Sequence, residues 1–310
     1  MNTKIQLRGI CLTLVGAVLM ATLAACSKAP PGTYATPEEA MQALGKHAGS
    51  GDAKKTEEMF GADALDLFDS GDAAADHEDA LRIKAMIQEK VTFHDLDEKT
   101  KAAVIGNEEW IFPLPLALEK GRWRFDTATG REELLNRRIG RNELLALASL
   151  HAYVDAQREY VTKGRDGNRP AFARRFRSTE GKHDGLFWPV GDGEEESPLG
   201  PLYAEAAHEQ RQQLQNAEPQ PFNGYYFRIL EGQGKSAPGG ERSYLDKKGL
   251  LTRGFAAIAT PAKYGNSGVM TLQVNQQGIV FQKDLGPDTE KAAAAINAYD
   301  PDESWQPTPD

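Results

Sequence analysis

The chain is poor in the residues and motifs on which metal, redox and hydrolytic chemistry commonly depend. Its 310 residues include only two cysteines and six scattered histidines. The His-Glu-x-x-His zinc motif, the Gly-x-Ser-x-Gly hydrolase motif and a closely spaced cysteine pair are all absent. Gly234-Lys235-Ser236 is not a phosphate loop, because Ile229 stands where that motif has its first glycine. We therefore predict no cofactor, no metal site and no catalytic residues, and we favour a non-enzymatic protein.

The first 25 residues are predicted to be a secretion signal. Lys4 and Arg8 supply a positive N-terminal region, and the apolar run Ile10–Thr22 is shorter than the ~20 residues that span a bilayer. The next four residues, Leu23-Ala24-Ala25-Cys26, resemble the lipobox of bacterial lipoproteins. This resemblance implies cleavage before Cys26 and attachment of acyl chains to its thiol. The alternative is an ordinary cleaved signal followed by an incidental cysteine.

The predicted anchor places the protein at a membrane surface. Ser27 follows Cys26, and by resemblance the lack of an aspartate there favours the outer membrane, with the periplasmic side preferred over cell-surface exposure. Acyl chains contribute about 0.8 kcal/mol per buried methylene, so several chains on one residue bind the membrane durably. Cleavage also removes Cys11, Lys4 and Arg8 but no acid, which precludes a disulfide and lowers the net charge from −9 to −11. That charge disfavours nucleic acid as a partner, and membrane contact is expected through the lipid on Cys26.

Hydrophobic periodicity predicts an α+β fold with two domains. In the N-terminal domain Thr36 and Glu39 are predicted to form a capping box, and the period changes from helical to alternating at Val91. Helices followed by a curved antiparallel sheet resemble the cone-shaped fold of nuclear-transport-factor-2-like and ketosteroid-isomerase-like domains. The predicted segments after the signal are a tether (26–35), the N-terminal domain (36–130), an arginine-rich junction (131–142), a second α+β domain (143–290), and a terminal helix with a frayed tail (291–310).

Several local expectations depend on single residues or short patterns. A helix is predicted at Ala80–Glu89, and Trp110–Leu118 is predicted as one edge or bulged strand because its two prolines lack an N–H donor. Asn142 is predicted to cap a long helix that carries an apolar stripe. Short helices are expected at Phe172–Phe176 and Thr289–Tyr299.

The second domain combines one long helix with short alternating strands. Its notable stretches are Tyr153-Val154-Asp155-Ala156-Gln157, Gly224-Tyr225-Tyr226-Phe227, Ala257-Ile258-Ala259-Thr260-Pro261 and Gly268-Val269-Met270-Thr271-Leu272. These residues resemble the soluble part of type II secretion pseudopilins, in which a helix packs on a small antiparallel sheet. Pseudopilins polymerise through a hydrophobic N-terminal helix. Because another domain takes that place here, a polymerising subunit is not expected.

Longer matching stretches are distributed over the whole mature chain. They are Trp110–Leu116, Trp123–Thr127, Gly130–Glu133, Arg137–Glu143, His183–Leu186 and Asp284–Thr289. On these residues the chain is similar to a bacterial lipoprotein family known as domain of unknown function 2950. The resemblance implies no activity, because none is assigned to the family.

The densest group of charges lies at the predicted junction. Guanidinium groups bind carboxylates and phosphates through paired hydrogen bonds, so this group could hold an acidic ligand. The interpretation that we favour is an ion-pair network that clamps the two domains, chiefly through Arg137 and Arg138. The members of the group are Arg131, Glu133, Arg137, Arg138, Arg141 and Glu143, with Asp126 and Glu132 beside them.

A second candidate site is the loop that contains His183, Asp184 and Trp188. A histidine, a carboxylate and an aromatic ring that looks exposed could line a ligand site, since loops often carry function. Asp184-Gly185 is also an ordinary turn sequence, and we favour that interpretation. The acidic run Gly191–Ser197 could hold calcium, but its spacing is not that of a defined calcium loop, so a solvated loop is favoured.

Two functions from different classes agree with these patterns. The favoured one is a non-enzymatic envelope protein that binds an unidentified envelope protein or assists its assembly. The other is a ligand-binding module or enzyme that uses a pocket in the N-terminal domain, with the arginine group at its mouth. A cavity lined by Trp110, Phe112 and Trp123 with a buried acid would favour the second function, and a filled core would favour the first.

Overall fold

The described residues are helical from Pro37 and become sheet-like at Val91, as the change of period predicts. A computed structural model describes residues 29–163, 170–190, 195–205 and 220–309. The predicted signal and Cys26 lie outside these residues. In chain order the helices of the described residues are α1 (Pro37–His47), α2 (Ala53–Phe60), α3 (Leu65–Phe68), α4 (Ala73–Glu89), α5 (Thr127–Lys163), α6 (Gly200–Glu205) and α7 (Thr289–Ala294).

The strands form two five-stranded antiparallel sheets and one small hairpin. The first sheet contains β1 (Val91–Asp95), β2 (Thr100–Ile105), β3 (Trp110–Ile111), β4 (Leu116–Glu119) and β5 (Arg122–Phe125), in the order β1-β2-β4-β5 with β3 paired to β2. The second contains β6 (Tyr225–Leu230), β9 (Ala256–Pro261), β10 (Met270–Asn275), β11 (Val280–Asp284) and β12 (Gln306–Pro307), in the order β12-β11-β10-β9-β6. The hairpin pairs β7 (Gly232–Gln233) with β8 (Arg242–Ser243).

The start of α1 confirms the predicted capping box. The Thr36 side chain accepts a hydrogen bond from the backbone N–H of Glu39 at 3.2 Å. The Glu39 carboxylate accepts in return from the backbone N–H of Ala35 at 2.9 Å, one residue before the cap. Two N–H groups that the helix itself cannot satisfy are therefore bonded by side chains.

Helices α1, α2 and α4 cover the first sheet, and their apolar residues meet its inner face in one core. This first core includes Met41, Phe60, Ile105, Leu116 and Phe125. The strand predicted over Trp110–Leu118 is two strands, because the intervening segment with its two prolines leaves the ladder. Tyr34, placed by the sequence in the tether, exchanges backbone hydrogen bonds with Trp123 at 2.8 and 2.9 Å, so the predicted tether is too long at its C-terminal end.

The second sheet packs on the C-terminal half of α5. Tyr153, Val154, Phe255, Leu272 and Val274 are buried in this second core. The opposite face of the sheet is also covered, because Ile258 of β9 packs with α7 residue Ala293 and with Tyr299. Thr271 and Gln273, which alternate along β10 with the apolar Met270, Leu272 and Val274, are for that reason fully buried.

Helix α5 is the main departure from the expected layout. It runs without interruption from Thr127 to Lys163, so Asn142 lies inside it and does not cap it. The Asn142 side chain instead donates to the carbonyl of Ser267 at 2.9 Å. Because both cores pack on this helix, tertiary contacts outweigh the ~1 kcal/mol that Gly140 costs a helix interior.

Two other local predictions are wrong. The segment Phe172–Phe176 is extended rather than helical. The backbone of Phe172 pairs with that of Leu251, and the rings of Phe172 and Phe176 pack on the second core. The terminal helix ends at Ala294 rather than Tyr299, and the tail after it is ordered by the pairing of β12 with β11 and by burial of Trp305.

The α+β fold class is confirmed, with a long helix packed on a small antiparallel sheet. Residues 31–310 form one compact unit, and the division of the mature chain at 131–142 stays a prediction. Likeness to pseudopilins also stays a prediction. Among the described residues, no helix combines the length and the hydrophobicity that a membrane span requires.

Candidate functional site

A cavity of about 860 Å³ lies between α1, α2, α4, the first sheet and the N-terminal half of α5. Its size falls within the range of small-molecule sites, roughly 300–1,000 Å³. Much of its wall is apolar, and aromatic rings of this wall contact each other, with centroids 4.9 Å apart for Phe60 and Phe68 and 6.2 Å for Trp110 and Phe112. The larger apolar residues that line it are Leu44, Phe60, Phe68, Ile83, Met86, Trp110, Phe112 and Leu134.

One side of the cavity is polar and is built by α4 and α5. Arg141 binds the Asp79 carboxylate with both terminal nitrogens, one of them at 2.9 Å, in a bidentate ion pair. Arg82 donates to the same carboxylate from one turn further along α4. Asp79 is therefore shared by two guanidinium groups, which is the arrangement that fixes carboxylates most precisely.

The neighbouring Arg137 lies against the aromatic wall. Its Nε donates to Glu133 at 2.6 Å and its Nη1 to the carbonyl of Ile111 at 2.7 Å. Its guanidinium carbon lies 5.4 Å from the centroid of the Trp110 ring, within the range of a cation–π contact. Arg137 therefore joins α5 to the first sheet at the rim of the cavity.

Arg138 is the member of the predicted group that joins α3 to the loop before β10. Its Nη2 donates to the carbonyl of Leu67 at 2.7 Å, and its Nη1 donates to the Asn266 side chain in the loop before β10. The Asn266 amide in turn donates to the carbonyls of Asp66 and Asp69, at 2.7 and 3.0 Å. Burial lowers the pKa of Arg138, against the opposing charges of Asp76 and Asp79.

The other predicted members do not converge on the cavity. Arg131 donates to the carbonyl of Asp63. The Glu143 carboxylate accepts from the backbone N–H groups of Val269 and Met270, at 2.9 and 3.0 Å. Of the six residues, only Arg137, Arg138 and Arg141 line the cavity.

Residues of α4 that the sequence did not single out complete this wall. Asp76, Asp79 and Arg82 recur at intervals of three, which places them along one side of a helix. The predicted helix began at Ala80, after the first two of them, whereas α4 begins at Ala73. Asp72, the cap of α4, accepts from Ala75 N–H, so an Asp followed by an alanine-rich run would have indicated the earlier start.

Asp76 on this wall gives a pH-dependent expectation. Burial raises its pKa, against smaller opposing effects of hydrogen bonds from Ser70 and the charge of Arg138. The pKa of Asp76 in the folded protein lies above the ordinary value of 3.8, so below pH 3.8 the carboxyl is protonated and its burial does not destabilise the fold. As the pH rises through the raised pKa, the buried carboxyl ionises and the free energy of unfolding falls. The variant Asp76→Asn stays neutral and should become more stable relative to the parent as the pH rises.

Urea unfolding at several pH values between about 4 and 7 measures this difference. Asp155→Asn is the control, because Asp155 is an acid on α5 whose side chain is 78% exposed. We expect the Asp76→Asn difference to change with pH and the Asp155→Asn difference to stay nearly constant. A constant difference for both variants would contradict the burial of a carboxylate at this wall.

The predicted loop site is built as a structural turn. The Asp184 carboxylate accepts from the backbone N–H of Thr179 at 2.7 Å and from its hydroxyl at 2.9 Å. The His183 ring stacks on the Trp188 ring at 4.3 Å, and Trp188 is buried in the second core rather than exposed. Residues 191–194 of the acidic run lie outside the described residues, and elsewhere in the described chain no three acidic, histidine or cysteine side chains group as metal ligands would.

Comparison with known proteins identifies the family. No curated protein and no solved structure gives a significant match to the chain. A family model described as "Protein of unknown function (DUF2950)" matches residues 32–308, which include both sheets and the cavity. The chain therefore belongs to the DUF2950 family of proteins of unknown function.

Proposed function

We propose that the protein is an envelope lipoprotein that binds a small amphipathic molecule in the cavity of its N-terminal half. The observation that carries the proposal is a cavity of about 860 Å³ whose lining combines apolar and aromatic side chains with those of arginine and aspartate. The cavity is partly open to solvent, so a small molecule could enter it.

The anchor is the second part of the proposal. It is supported by the lipobox at Cys26 and by the short connection from that residue to Tyr34, where the chain is first paired with the sheet. Eight residues span at most about 28 Å when extended, so the cavity would stay near the bilayer. The mass of the N-terminal peptide of membrane-extracted protein tests this, because an unmodified Cys26 thiol would contradict the anchor.

The test of ligand binding is a variant that fills the cavity. Ala80→Trp projects an indole from the α4 wall, and Ala85→Trp, on the exposed side of the same helix, is the matched control. The mature chain in lipid nanodiscs is labelled with a photoreactive decanol, and labelling of the peptides that line the cavity is titrated. If the indole takes on the order of 60 Å² of apolar contact from the probe, binding weakens by ~1.5 kcal/mol. The decanol concentration that gives half-maximal labelling should therefore rise about tenfold in Ala80→Trp and stay unchanged in Ala85→Trp.

Binding to a protein partner is a second candidate, and one observation favours it. Leu144 and Leu145 are 68% and 38% exposed on α5, within one turn of Arg141 at the cavity wall. Exposed leucines next to one another favour a protein contact. Absence of saturable cavity labelling in the parent, together with crosslinks in cells from this part of α5 to one protein, would reject the ligand proposal and favour the partner.

A further inference from the structure

The polar wall of the cavity carries a local excess of positive charge. Two guanidinium groups, those of Arg82 and Arg141, share the single carboxylate of Asp79. Each guanidinium has five N–H donors, and the three bonds to Asp79 use only a minority of them. One positive charge and several donors are therefore available at the point where the wall faces the cavity.

The other charges of the wall are close to balance. Arg137 is paired with Glu133 at 2.6 Å, and Asp69 lies 3.6 Å from Lys263. Asp76 and Arg138 line the same cavity, and the charge of each opposes the shift that burial causes in the pKa of the other.

Three other titratable side chains line the cavity. The imidazole of His47 is held at both ring nitrogens, by Ser50 at 2.8 Å and Thr56 at 2.9 Å. His77 lines the wall near these residues, and Glu108 lies at an exposed turn. The carboxylate of Glu108 offsets the charge of the lining as a whole, so the positive excess is a local one, at the two guanidinium groups that share Asp79.

From this arrangement we infer that the ligand is an apolar chain with one carboxylate head group, which binds Arg82 and Arg141 beside Asp79. The inference rests on the proposed function and names the ligand class for the same cavity. A guanidinium matches a carboxylate through two parallel hydrogen bonds. A carboxylate also supplies one negative charge against one excess positive charge, whereas a phosphate monoester carries ≈ −1.5 to −2 at neutral pH.

The apolar part of the ligand has a defined place in this arrangement. Phe60, Phe68 and Phe112 belong to the apolar lining of the cavity, and Trp110 adjoins Arg137. A chain of methylenes buried among them gains about 0.8 kcal/mol per methylene, and its head group stays at the partly exposed guanidinium groups.

Photoreactive decanoate, decanol and decylamine separate the head group from the chain. The mature chain in lipid nanodiscs is titrated with each probe, and saturable labelling of the cavity peptides is measured. We expect decanoate to reach half-maximal labelling at the lowest concentration, decanol at a higher one, and decylamine at the highest. Each variant is compared with the parent using the same probe, so partition of that probe into the bilayer affects both proteins equally.

Two variants change the local charge in opposite directions. Arg82→Gln removes the excess charge and should raise the half-maximal decanoate concentration about fivefold, the effect expected of a partly exposed ion pair. Asp79→Asn increases the excess and should lower that concentration by a similar factor. Arg124→Gln is the matched control, since Arg124 is an exposed arginine paired with Glu119 at 3.0 Å outside the cavity.

The outcomes separate the inference from the function on which it rests. Equal labelling by decanoate and decanol, with no effect of Arg82→Gln, would overturn the carboxylate assignment but leave the cavity as a ligand site. Failure of all three probes to label the cavity would overturn both. Arg82→Gln changes an exposed side chain of α4, so this test holds even where Asp79→Asn does not fold.

Discussion

Replacing Asp72 with alanine is expected to lower the free energy of unfolding by about 3 kcal/mol, as the sum of a lost cap and an unsatisfied donor. Asp72 is fully buried, and burial raises its pKa. One carboxylate oxygen accepts from Ala75 N–H at 3.1 Å and caps α4. The other accepts from the buried N–H of Gly224, just before β6, at 2.9 Å. Alanine removes the cap and leaves the Gly224 donor without an acceptor.

Asp52 provides the matched control for this prediction. It caps α2 by accepting from Lys55 N–H at the same 3.1 Å distance, but it is exposed. Asp52→Ala should therefore cost about 1 kcal/mol, the ordinary value of a helix cap. Denaturant unfolding measures both variants. Equal losses would mean that the bond from Gly224 contributes nothing beyond the cap.

Replacing Arg138 with alanine is the second change with a large expected effect, also about 3 kcal/mol. The substitution deprives the Leu67 carbonyl and the Asn266 side chain of their charged donor. It also leaves Asp76 without the cation whose charge opposes the rise in its pKa. Because these partners belong to segments next to different sheets, the loss should appear as a lower melting temperature of the whole chain.

Arg137→Ala is the natural comparison, because the two arginines are adjacent in α5. Arg137 is 37% exposed, and in the described part of the chain it contacts Glu133, the Ile111 carbonyl and the Trp110 ring. Its loss should cost less than about 1 kcal/mol. The sequence predicted a clamp chiefly through both residues; of the two, Arg138 contacts the loop before β10, and its role as a clamp stays a prediction. Unchanged melting of Arg138→Ala would contradict that role.

Local patterns in the sequence were sufficient to predict most elements. The capping box at Thr36, the alternation from Val91 and the strands of the second sheet follow from chemistry within a few residues. The hairpin between β10 and β11 likewise has its cause nearby, since Asn275 and Gly278 in its turn are ordinary turn residues. These elements could be predicted because the residues that determine each of them are close together in the sequence.

The missed features have causes distant in sequence. Asn142 has the chemistry of a helix cap, but its amide binds Ser267, which lies 125 residues away. Phe172 has helical spacing with Phe176, but its backbone pairs with Leu251. A tertiary partner decided each case against the local preference, and no pattern within a few residues could reveal that partner.

Only part of the site could be predicted, because some of its residues are brought together from distant positions in the sequence. Of the three residues named as the lining of a possible cavity, Trp110 and Phe112 line it, but Trp123 does not, since it packs on the first core beneath Lys101. The arginines of α5 were conspicuous because they cluster in sequence. The aspartates of α4 that hold them were not, because the pairing of Asp79 with Arg141 spans 62 residues.

The uninterrupted course of α5 has a consequence for how the chain can vary. Leu134 and Leu135 pack on the first core, and Leu150 and Val154 pack on the second, so one rigid rod sets the angle between them. Inserting a single residue between these pairs would turn one core by about 100° relative to the other and advance it by about 1.5 Å. A seven-residue insertion would bring the rotation to within about 20° but add about 10 Å of separation. The residue count of this segment is therefore itself a structural parameter, and substitutions there should be tolerated far better than insertions or deletions.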